Sequence, residues 1–295
     1  MLNQLDLSRY IGNTPLIEYK KNIFIKFEFM NYTGSIKDRP VYYIIKNAEG
    51  RKEIKPNQTT LVEATSGNTG ISLATIGKLL GYRVKIIMPK DMSMERKKII
   101  QSLGAELTLV EEGNFQAAID LRNEICKTTL NHYNVNQFLN KENIECHYLT
   151  TGKEITNFFI KENIVPFGFI CGTGTGGTFM GVSKRLKETY PDISCHVLEP
   201  YESSVMSGGK AGIHQIQGIG DGSKFLVDLK QVDGIHTIKS SDAIEKAKQI
   251  SQKYGYFVGI SSAANLLGAE ILEKRFKKPI VTFFCDNGNR YLSMF

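Results

Sequence analysis

A glycine-threonine loop is the stretch of the chain whose residue types most directly suggest chemistry. It runs from Gly172 to Thr178, contains four glycines and three threonines, and follows a short apolar strand. The glycines allow a tight turn, and the threonines supply hydroxyl groups. The loop opens onto a predicted helix whose first amides lack partners, so it predicts a cup for a phosphate group. The alternative is a connector that binds nothing.

The kind of phosphate group stays open when this loop is considered alone. Gly172, Gly174 and Gly177 satisfy the G-x-G-x-x-G spacing of dinucleotide-binding loops. Glu199 ends the next predicted strand, where such enzymes place the acid that binds the ribose. An NAD-dependent dehydrogenase is therefore one hypothesis. A Walker loop is excluded, because no lysine follows the glycines.

Two other segments carry candidate chemical groups. Thr65 to Gly70 is a second polar, glycine-punctuated loop at a predicted helix start, where its hydroxyl and amide donors could hold a carboxylate. The alternative is an ordinary capped helix start. Lys37 lies in a polar turn, and its residue type alone indicates no more than an exposed cation.

Strands and helices alternate on both sides of these loops. Residues 22–31 alternate apolar and polar side chains, which predicts a strand with one buried face. The other predicted strands are 60–64, 83–88, 107–110, 193–199, 279–284 and one near His236. Two of the predicted helices end at Ile45 and at Phe276. The others span 71–80, 93–103, 115–128, 142–161 and 242–254. This alternation is typical of parallel sheets covered by helices, in which ligands bind beyond the carboxyl ends of the strands.

Composition limits the possible classes of function. The net charge is +7, but lysines alternate with glutamates and form no aromatic-interleaved stripe, so small anionic ligands are expected rather than nucleic acid. The five cysteines are scattered and suggest neither a disulfide framework nor a metal site. No segment reads as a signal peptide or membrane span, and we expect a cytoplasmic protein.

Seven motifs, in order and covering nearly the whole chain, resemble the cysteine synthase and cystathionine β-synthase family of pyridoxal-phosphate enzymes. They are Asn13-Thr14-Pro15-Leu16, Ser35-Ile36-Lys37-Asp38-Arg39, Thr65 to Gly70, Met92 to Arg96, Gly172 to Thr178, Gln217 to Gly220 and Gly259 to Ser262. The resemblance implies a tryptophan synthase β-like fold (fold type II), with two three-layer α/β/α domains and mostly parallel sheets. A smaller mobile domain is expected at 1–12 and 35–145, and a larger phosphate-binding domain at 13–34 and 146–295. A homodimer is a further family expectation.

The resemblance also implies a role for each matching residue. Lys37 is expected to form the Schiff base with pyridoxal phosphate and then, as a free amine, to remove the α-proton of the substrate. Asn68 is expected to bind the ring oxygen of the cofactor, and Ser261 to face the pyridine nitrogen. The residues expected around the phosphate are Gly172, Thr173, Gly174, Thr175 and Gly176. Those expected to bind the substrate are Thr65, Ser66, Thr69, Gln137 and Gly218, the first four through its carboxylate.

The reaction implied by the resemblance is β-elimination followed by addition of a nucleophile, through an aminoacrylate. A hydroxyl at Ser261 leaves the ring nitrogen neutral, which favours loss of a β-substituent over a long-lived carbanion. The expected substrates are cysteine, serine or O-acetylserine, with sulfide as the incoming or leaving group.

Asp221 departs from the family pattern, which places an apolar residue or tyrosine after Gln-Gly-Ile-Gly. Asp-Gly is a favoured turn pair, so Asp221 could only shape a loop. Alternatively, its carboxylate could activate water as a general base or repel an anionic sulfur nucleophile. In that case the enzyme would consume L-cysteine and release hydrogen sulfide, adding water to give L-serine or adding another thiol.

Overall fold

The computed structural model describes residues 6–65 and 67–295. In chain order, the strands are β1 (Leu16–Lys20), β2 (Ile23–Phe27), β3 (Thr60–Ala64), β4 (Arg83–Pro89), β5 (Glu106–Val110), β6 (His132–Asn134), β7 (Gly168–Gly172), β8 (Ser194–Pro200), β9 (Gly234–Ile238) and β10 (Ile280–Phe284). The helices are α1 (Asp38–Gly50), α2 (Asn68–Leu79), α3 (Met94–Ser102), α4 (Phe115–Thr128), α5 (Glu142–His147), α6 (Lys153–Lys161), α7 (Gly177–Thr189), α8 (Ser240–Tyr254) and α9 (Ile260–Phe276). None of the helices described is long and apolar enough to cross a membrane.

The chain forms two compact units, each with its own sheet. The first unit contains the described residues up to Ile11 together with Lys37–Glu142, and the second contains Gly12–Ile36 and Asn143–Phe295. The functional roles expected for the two domains stay a prediction.

The first unit is built on a four-stranded parallel sheet in the order β5-β4-β3-β6. Every residue of β3 is buried, because the strand lies inside the sheet and is covered on both faces. Leu61 and Ile86 pack into one apolar cluster with residues of α1 and α2. Val62 and Ile87 pack into a second cluster that includes Ala118 of α4. This unit therefore has helices on both sides of its sheet.

The second unit is built on a six-stranded sheet in the order β1-β2-β10-β7-β8-β9. Only the β1–β2 pair is antiparallel. In β10, Ile280 and Phe284 belong to one apolar cluster, whereas Val281 and Phe283 belong to another. Successive side chains thus enter cores on opposite faces of the sheet. The two units confirm the predicted α/β class with mostly parallel sheets.

Two sequence-based element predictions need correction, and two strands were not predicted. The strand predicted for residues 22–31 ends at Phe27, and both of its faces are buried because β2 lies between β1 and β10. The helix predicted for residues 142–161 is interrupted by a π-helical turn at Tyr148–Gly152. Here the Thr150 hydroxyl donates to the carbonyl of Cys146, which an α-helix would pair with a backbone amide. Strands β1 and β6 have no counterpart among the predicted elements.

A buried pair of histidines joins β8 to β9. His196 Nδ1 lies 3.0 Å from His236 Nε2, and His196 Nε2 lies 2.8 Å from Ser194 Oγ. Burial, assisted by the neighbouring His236, lowers the pKa of His196 to about 4. His196 is therefore neutral in the folded protein at pH 5, whereas an unfolded chain would protonate it below about pH 6.5.

This difference predicts a pH-dependent stability. Because the folded-state pKa of His196 is depressed, the folded protein loses stability as the pH falls from about 6.5 towards 4. Between pH 7 and pH 5 the wild type should lose about 2 kcal/mol more than a His196→Gln variant, which cannot be protonated. Urea unfolding at the two pH values measures the difference. Equal losses of unfolding free energy in the two proteins would contradict the depressed pKa of His196.

Candidate active site

The glycine-threonine loop connects β7 to α7 in the second unit. Gly176 is the N-cap of α7 and has a left-handed backbone, with φ of +86°. Within the described part of the chain, the amides of Gly174, Thr175 and Gly176 donate to no other group. Three adjacent amide donors at a helix start suit an anionic group, and their binding to the phosphate of a cofactor stays a prediction.

Two asparagines fix the position of this loop. Asn265 Oδ1 accepts a hydrogen bond from the Gly172 amide at 2.7 Å, and Asn143 Nδ2 donates to Thr175 Oγ1 at 3.0 Å. The Asn265 side chain also donates to the carbonyl of Phe283, so it joins the ends of β7 and β10. Sequence reasoning missed both residues, because an asparagine on a helix carries no recognisable motif.

The glycines of the loop are required by close approaches of neighbouring chain segments. A Cβ atom at Gly174 would lie 2.7 Å from the carbonyl oxygen of Gly218, and one at Gly176 would lie 2.6 Å from Val227 Cγ2. Neither position accepts a side chain without displacing its neighbours.

The segment from Gly218 to Asp221 runs along this loop. The Gly220 amide donates to the carbonyl of Thr173 at 3.0 Å. The Asp221 Oδ2 atom lies 3.1 Å from the position that a Cβ of Gly174 would occupy. Asp221 is exposed, so water reaches its carboxylate. The structure thus brings together the glycine-threonine loop, Gly218 and Asp221.

Ser261 lies in the first turn of α9, one turn before Asn265. Its side chain is buried, and its hydroxyl forms no hydrogen bond within the described residues. The adjacent Ser262 hydroxyl, in contrast, accepts from the Cys285 amide at 2.8 Å. Ser261 therefore offers a buried hydroxyl that is available to a ligand.

In the first unit, Lys37 is the N-cap of α1, and its carbonyl accepts from the Val41 amide. The next residue, Asp38, is fully buried and accepts a 2.5 Å hydrogen bond from Ser72 of α2. This bond joins the first turn of α1 to α2 close to Asn68, the first residue of that helix. The first unit therefore fixes the helix starts that carry Lys37 and Asn68.

The loop at Thr65 presents its polar groups at the start of α2. The N-cap residue is Gly67, which has no side chain to cap the helix, and its amide donates to Thr65 Oγ1 at 3.2 Å. Thr69 Oγ1 donates to Gln137 Oε1 at 2.6 Å, which brings two of the predicted substrate-binding residues together. Ser66, another of them, lies outside the described residues.

A buried ion pair holds Gln137 in this position. The Glu63 carboxylate accepts from the Gln137 amide at 2.9 Å and from Arg122 Nη1 at 2.7 Å. Burial raises the pKa of Glu63, and the positive charge of Arg122 opposes that rise. Sequence reasoning missed this pair, because an isolated acid in a strand and an arginine in a helix have no spacing that links them.

Comparison with known proteins decides the family. A family model described as "Pyridoxal-phosphate dependent enzyme" matches residues 7–286. The chain belongs to this family. It is a pyridoxal-phosphate enzyme of β-replacement and β-elimination chemistry that involves sulfide.

Individual relatives cover nearly all of the chain. Cysteine synthase B of Campylobacter jejuni is 43% identical over 97% of this chain and 96% of its own length. The crystal structure of a hydrogen sulfide-producing enzyme from Fusobacterium nucleatum is 40% identical, has a TM-score of 0.93, and matches 97% of this chain and 89% of that one. The structure of an aspartate-to-asparagine mutant of that enzyme contains an α-aminoacrylate intermediate. It has a TM-score of 0.91, is also 40% identical, and matches 97% of this chain and 90% of that one.

The hypothesis of an NAD-dependent dehydrogenase is therefore wrong, and the structure shows a different role for Glu199. Its carboxylate is buried and accepts hydrogen bonds from the amides of Met206 and Ser207 at 2.9 and 2.8 Å, and also from the Ser207 hydroxyl. Glu199 thus fixes the segment after β8 instead of presenting an acid to a ribose.

The residues present fit pyridoxal phosphate. The unpaired amides of the glycine-threonine loop suit its phosphate group, and the buried Ser261 hydroxyl suits its ring nitrogen. The roles of the individual residues stay predictions.

A Gly176→Ala variant tests the cofactor site. The new Cβ would meet Val227 and place alanine at φ of +86°, so the loop must shift. We expect pyridoxal phosphate to bind at least about tenfold more weakly, which corresponds to the loss of one or two hydrogen bonds.

Gly255→Ala is the matched control, because Gly255 has a similar φ of +73° and no atom within 4 Å of its would-be Cβ. Both variants carry the backbone cost of about 1 kcal/mol, and only Gly176→Ala should lose the cofactor. Titration of the visible absorbance of the cofactor measures its affinity. Equal cofactor affinity in the two variants would show that the loop does not hold the phosphate.

Proposed function

We propose that this enzyme consumes L-cysteine, releasing hydrogen sulfide and adding water to give L-serine, with Asp221 as the general base. The overall reaction converts L-cysteine and water into L-serine and hydrogen sulfide. The carbon–sulfur bond at the β-carbon breaks, and a carbon–oxygen bond to water forms there. Asp221 takes a proton from this water as its oxygen attacks the β-carbon.

The position of the Asp221 carboxylate carries this proposal. Its Oδ2 atom lies 3.1 Å from the position that a Cβ of Gly174 would occupy, next to the loop that suits the phosphate of the cofactor. A carboxylate at this place can accept a proton from water, which an apolar side chain cannot do. Its negative charge also repels hydrosulfide, so departure of sulfide is favoured over its addition.

The remaining residues bind the substrate and move its protons. Pyridoxal phosphate, when bound, supplies the electron sink that allows the β-substituent of an amino acid to leave. We assign the amine of Lys37 to cofactor attachment and to removal of the α-proton. Thr65, Thr69 and Gln137 would hold the substrate carboxylate at the start of α2, and Asn68 would donate to the ring oxygen of the cofactor.

The comparisons support this direction of the reaction. Three of the structural neighbours are named as hydrogen sulfide-producing enzymes, and one of these carries an aspartate-to-asparagine change with an α-aminoacrylate bound. The placement of Asp221 suggests that this chain also uses an aspartate in its reaction.

Cysteine synthesis is the second candidate function. It is favoured by the relative from Campylobacter jejuni, which is named cysteine synthase B. In this reaction the carbon–oxygen bond at the β-carbon of O-acetylserine breaks, acetate leaves, and hydrosulfide forms a carbon–sulfur bond at the same carbon. The same substrate and cofactor residues would serve, and Asp221 would only shape the turn at Gly222.

We also propose that the enzyme acts in the cytoplasm as a homodimer. The proposal rests on its family membership. Sedimentation analysis should give twice the chain mass of 33.1 kDa. A mass equal to one chain would refute the dimer.

An Asp221→Asn variant tests the proposed function. Asparagine keeps the size of the side chain but cannot accept the proton, so serine formation from L-cysteine should fall at least about 100-fold. The visible absorbance of the bound cofactor should remain. Quantifying serine and sulfide with L-cysteine as sole substrate measures the effect.

Asp192→Asn is the matched control, because Asp192 is an exposed aspartate of the same unit and lies away from the loop in sequence. Its serine formation should equal that of the wild type. Unchanged serine formation in Asp221→Asn, or a wild type that makes cysteine from O-acetylserine and no serine from cysteine, would favour cysteine synthesis.

A further inference from the structure

The carbonyl of Gly220, directly before Asp221, is held by two side chains. It accepts hydrogen bonds from Ser203 Oγ at 3.1 Å and from His214 Nε2 at 3.1 Å. The amide of the same glycine donates to the carbonyl of Thr173. Both backbone polar groups of Gly220 are therefore used, and the peptide that leads into Asp221 is fixed.

This arrangement defines the protonation of His214. A carbonyl oxygen only accepts, so the proton must be on Nε2. Nδ1 is buried and has no hydrogen-bond partner among the described residues. The ring is thus aimed at the Gly220 carbonyl, and within the described structure it makes no other polar contact.

Neighbouring groups lie close to the backbone of Gly220. Its φ is +71°, and a Cβ there would lie 2.5 Å from Pro200 Cδ and 3.1 Å from His214 Nε2. The chain therefore passes tightly between the end of β8 and the imidazole. Rotation of the peptide between Gly220 and Asp221 would move the carboxylate away from the loop, and the two donors oppose that rotation.

We propose that His214, together with Ser203, is a positioning residue that holds the Asp221 carboxylate over the phosphate loop for attack by water. The inference rests on the proposed function and deepens it. His214 acts through the backbone of Gly220 and not on the substrate. Small displacements of a catalytic group have large effects on rate, so weakening this anchor should affect the step that needs Asp221.

Product partition separates that step from the others. After cysteine has lost hydrogen sulfide, the three-carbon fragment either gains water to become serine or leaves the enzyme and hydrolyses to pyruvate and ammonia. Either route consumes one cysteine and one water for each hydrogen sulfide released. The ratio of serine to pyruvate therefore reports water addition, whereas total sulfide reports the earlier steps.

The experiment replaces His214 by phenylalanine, which keeps the ring and removes the donor. With L-cysteine as sole substrate, we expect the serine-to-pyruvate ratio to fall about tenfold, the typical effect of one lost hydrogen bond. Total sulfide release should stay within about twofold of the wild type. A His214→Gln variant, whose amide can donate from a position near that of Nε2, should restore most of the ratio.

Two further variants make the result decisive. His132→Phe makes the same substitution in the first unit, where the imidazole contacts the carbonyl of Leu130, and it should leave the ratio unchanged. Ser203→Ala removes the other donor to Gly220 and should lower the ratio, although His214 is intact. If His214→Phe does not retain its cofactor, the serine-to-pyruvate ratio of Ser203→Ala tests the positioning role instead.

The outcomes distinguish this inference from the proposed function. If Asp221→Asn abolishes serine formation but His214→Phe and Ser203→Ala both keep the wild-type ratio, the positioning role is refuted and the general base stands. A proportional loss of serine, pyruvate and sulfide in His214→Phe would mean a purely structural role and would also refute it. If Asp221→Asn itself keeps the wild-type ratio of serine to pyruvate, the general-base role of Asp221 in the proposed function is refuted, whatever His214→Phe shows.

Discussion

The backbone amides at the start of α7 are the constraint on which the second unit depends. Three consecutive donors must stay unpaired within the chain so that an anionic group can bind them. These three amides therefore cannot hold the loop in place, and other contacts hold it instead. Asn265 fixes the beginning of the loop at Gly172, and Asn143 fixes Thr175. The close approach of Gly218 and Val227 then explains why this loop is rich in glycine.

A comparable constraint operates in the first unit. The polar loop at Thr65 follows β3, a strand that is buried along its whole length and yet contains Glu63. Removing a carboxylate from water is costly unless its charge and lone pairs are satisfied. Arg122 supplies the charge, and the amides of Ala64 and Gln137 supply hydrogen bonds. The same bonds set the position of Gln137, so the stability of the fold and the geometry of the site depend on one ion pair.

Sequence patterns identified the fold class and the two polar loops, because these depend on local spacing. Helix α4 and strand β3 have the predicted bounds. The patterns failed where the outcome depends on contacts between distant segments. β2 is buried on both faces only because β10 joins it, and Glu199 looked like a ribose-binding acid until its hydrogen bonds to Met206 and Ser207 were known. The place of Asp221 above Gly174 likewise joins residues 47 positions apart, which no motif specifies.

Turnover of L-cysteine by the wild-type enzyme in water labelled with oxygen-18 identifies the nucleophile that replaces sulfide. We expect one sulfide for each molecule of serine or pyruvate formed, with serine as the main product and a single oxygen-18 atom in its side chain. This result would show that water is the nucleophile that replaces sulfide. Sulfide release with lanthionine as the product would instead show a thiol acceptor. No sulfide at all, together with cysteine formed from O-acetylserine, would contradict the account and leave Asp221 as a turn residue.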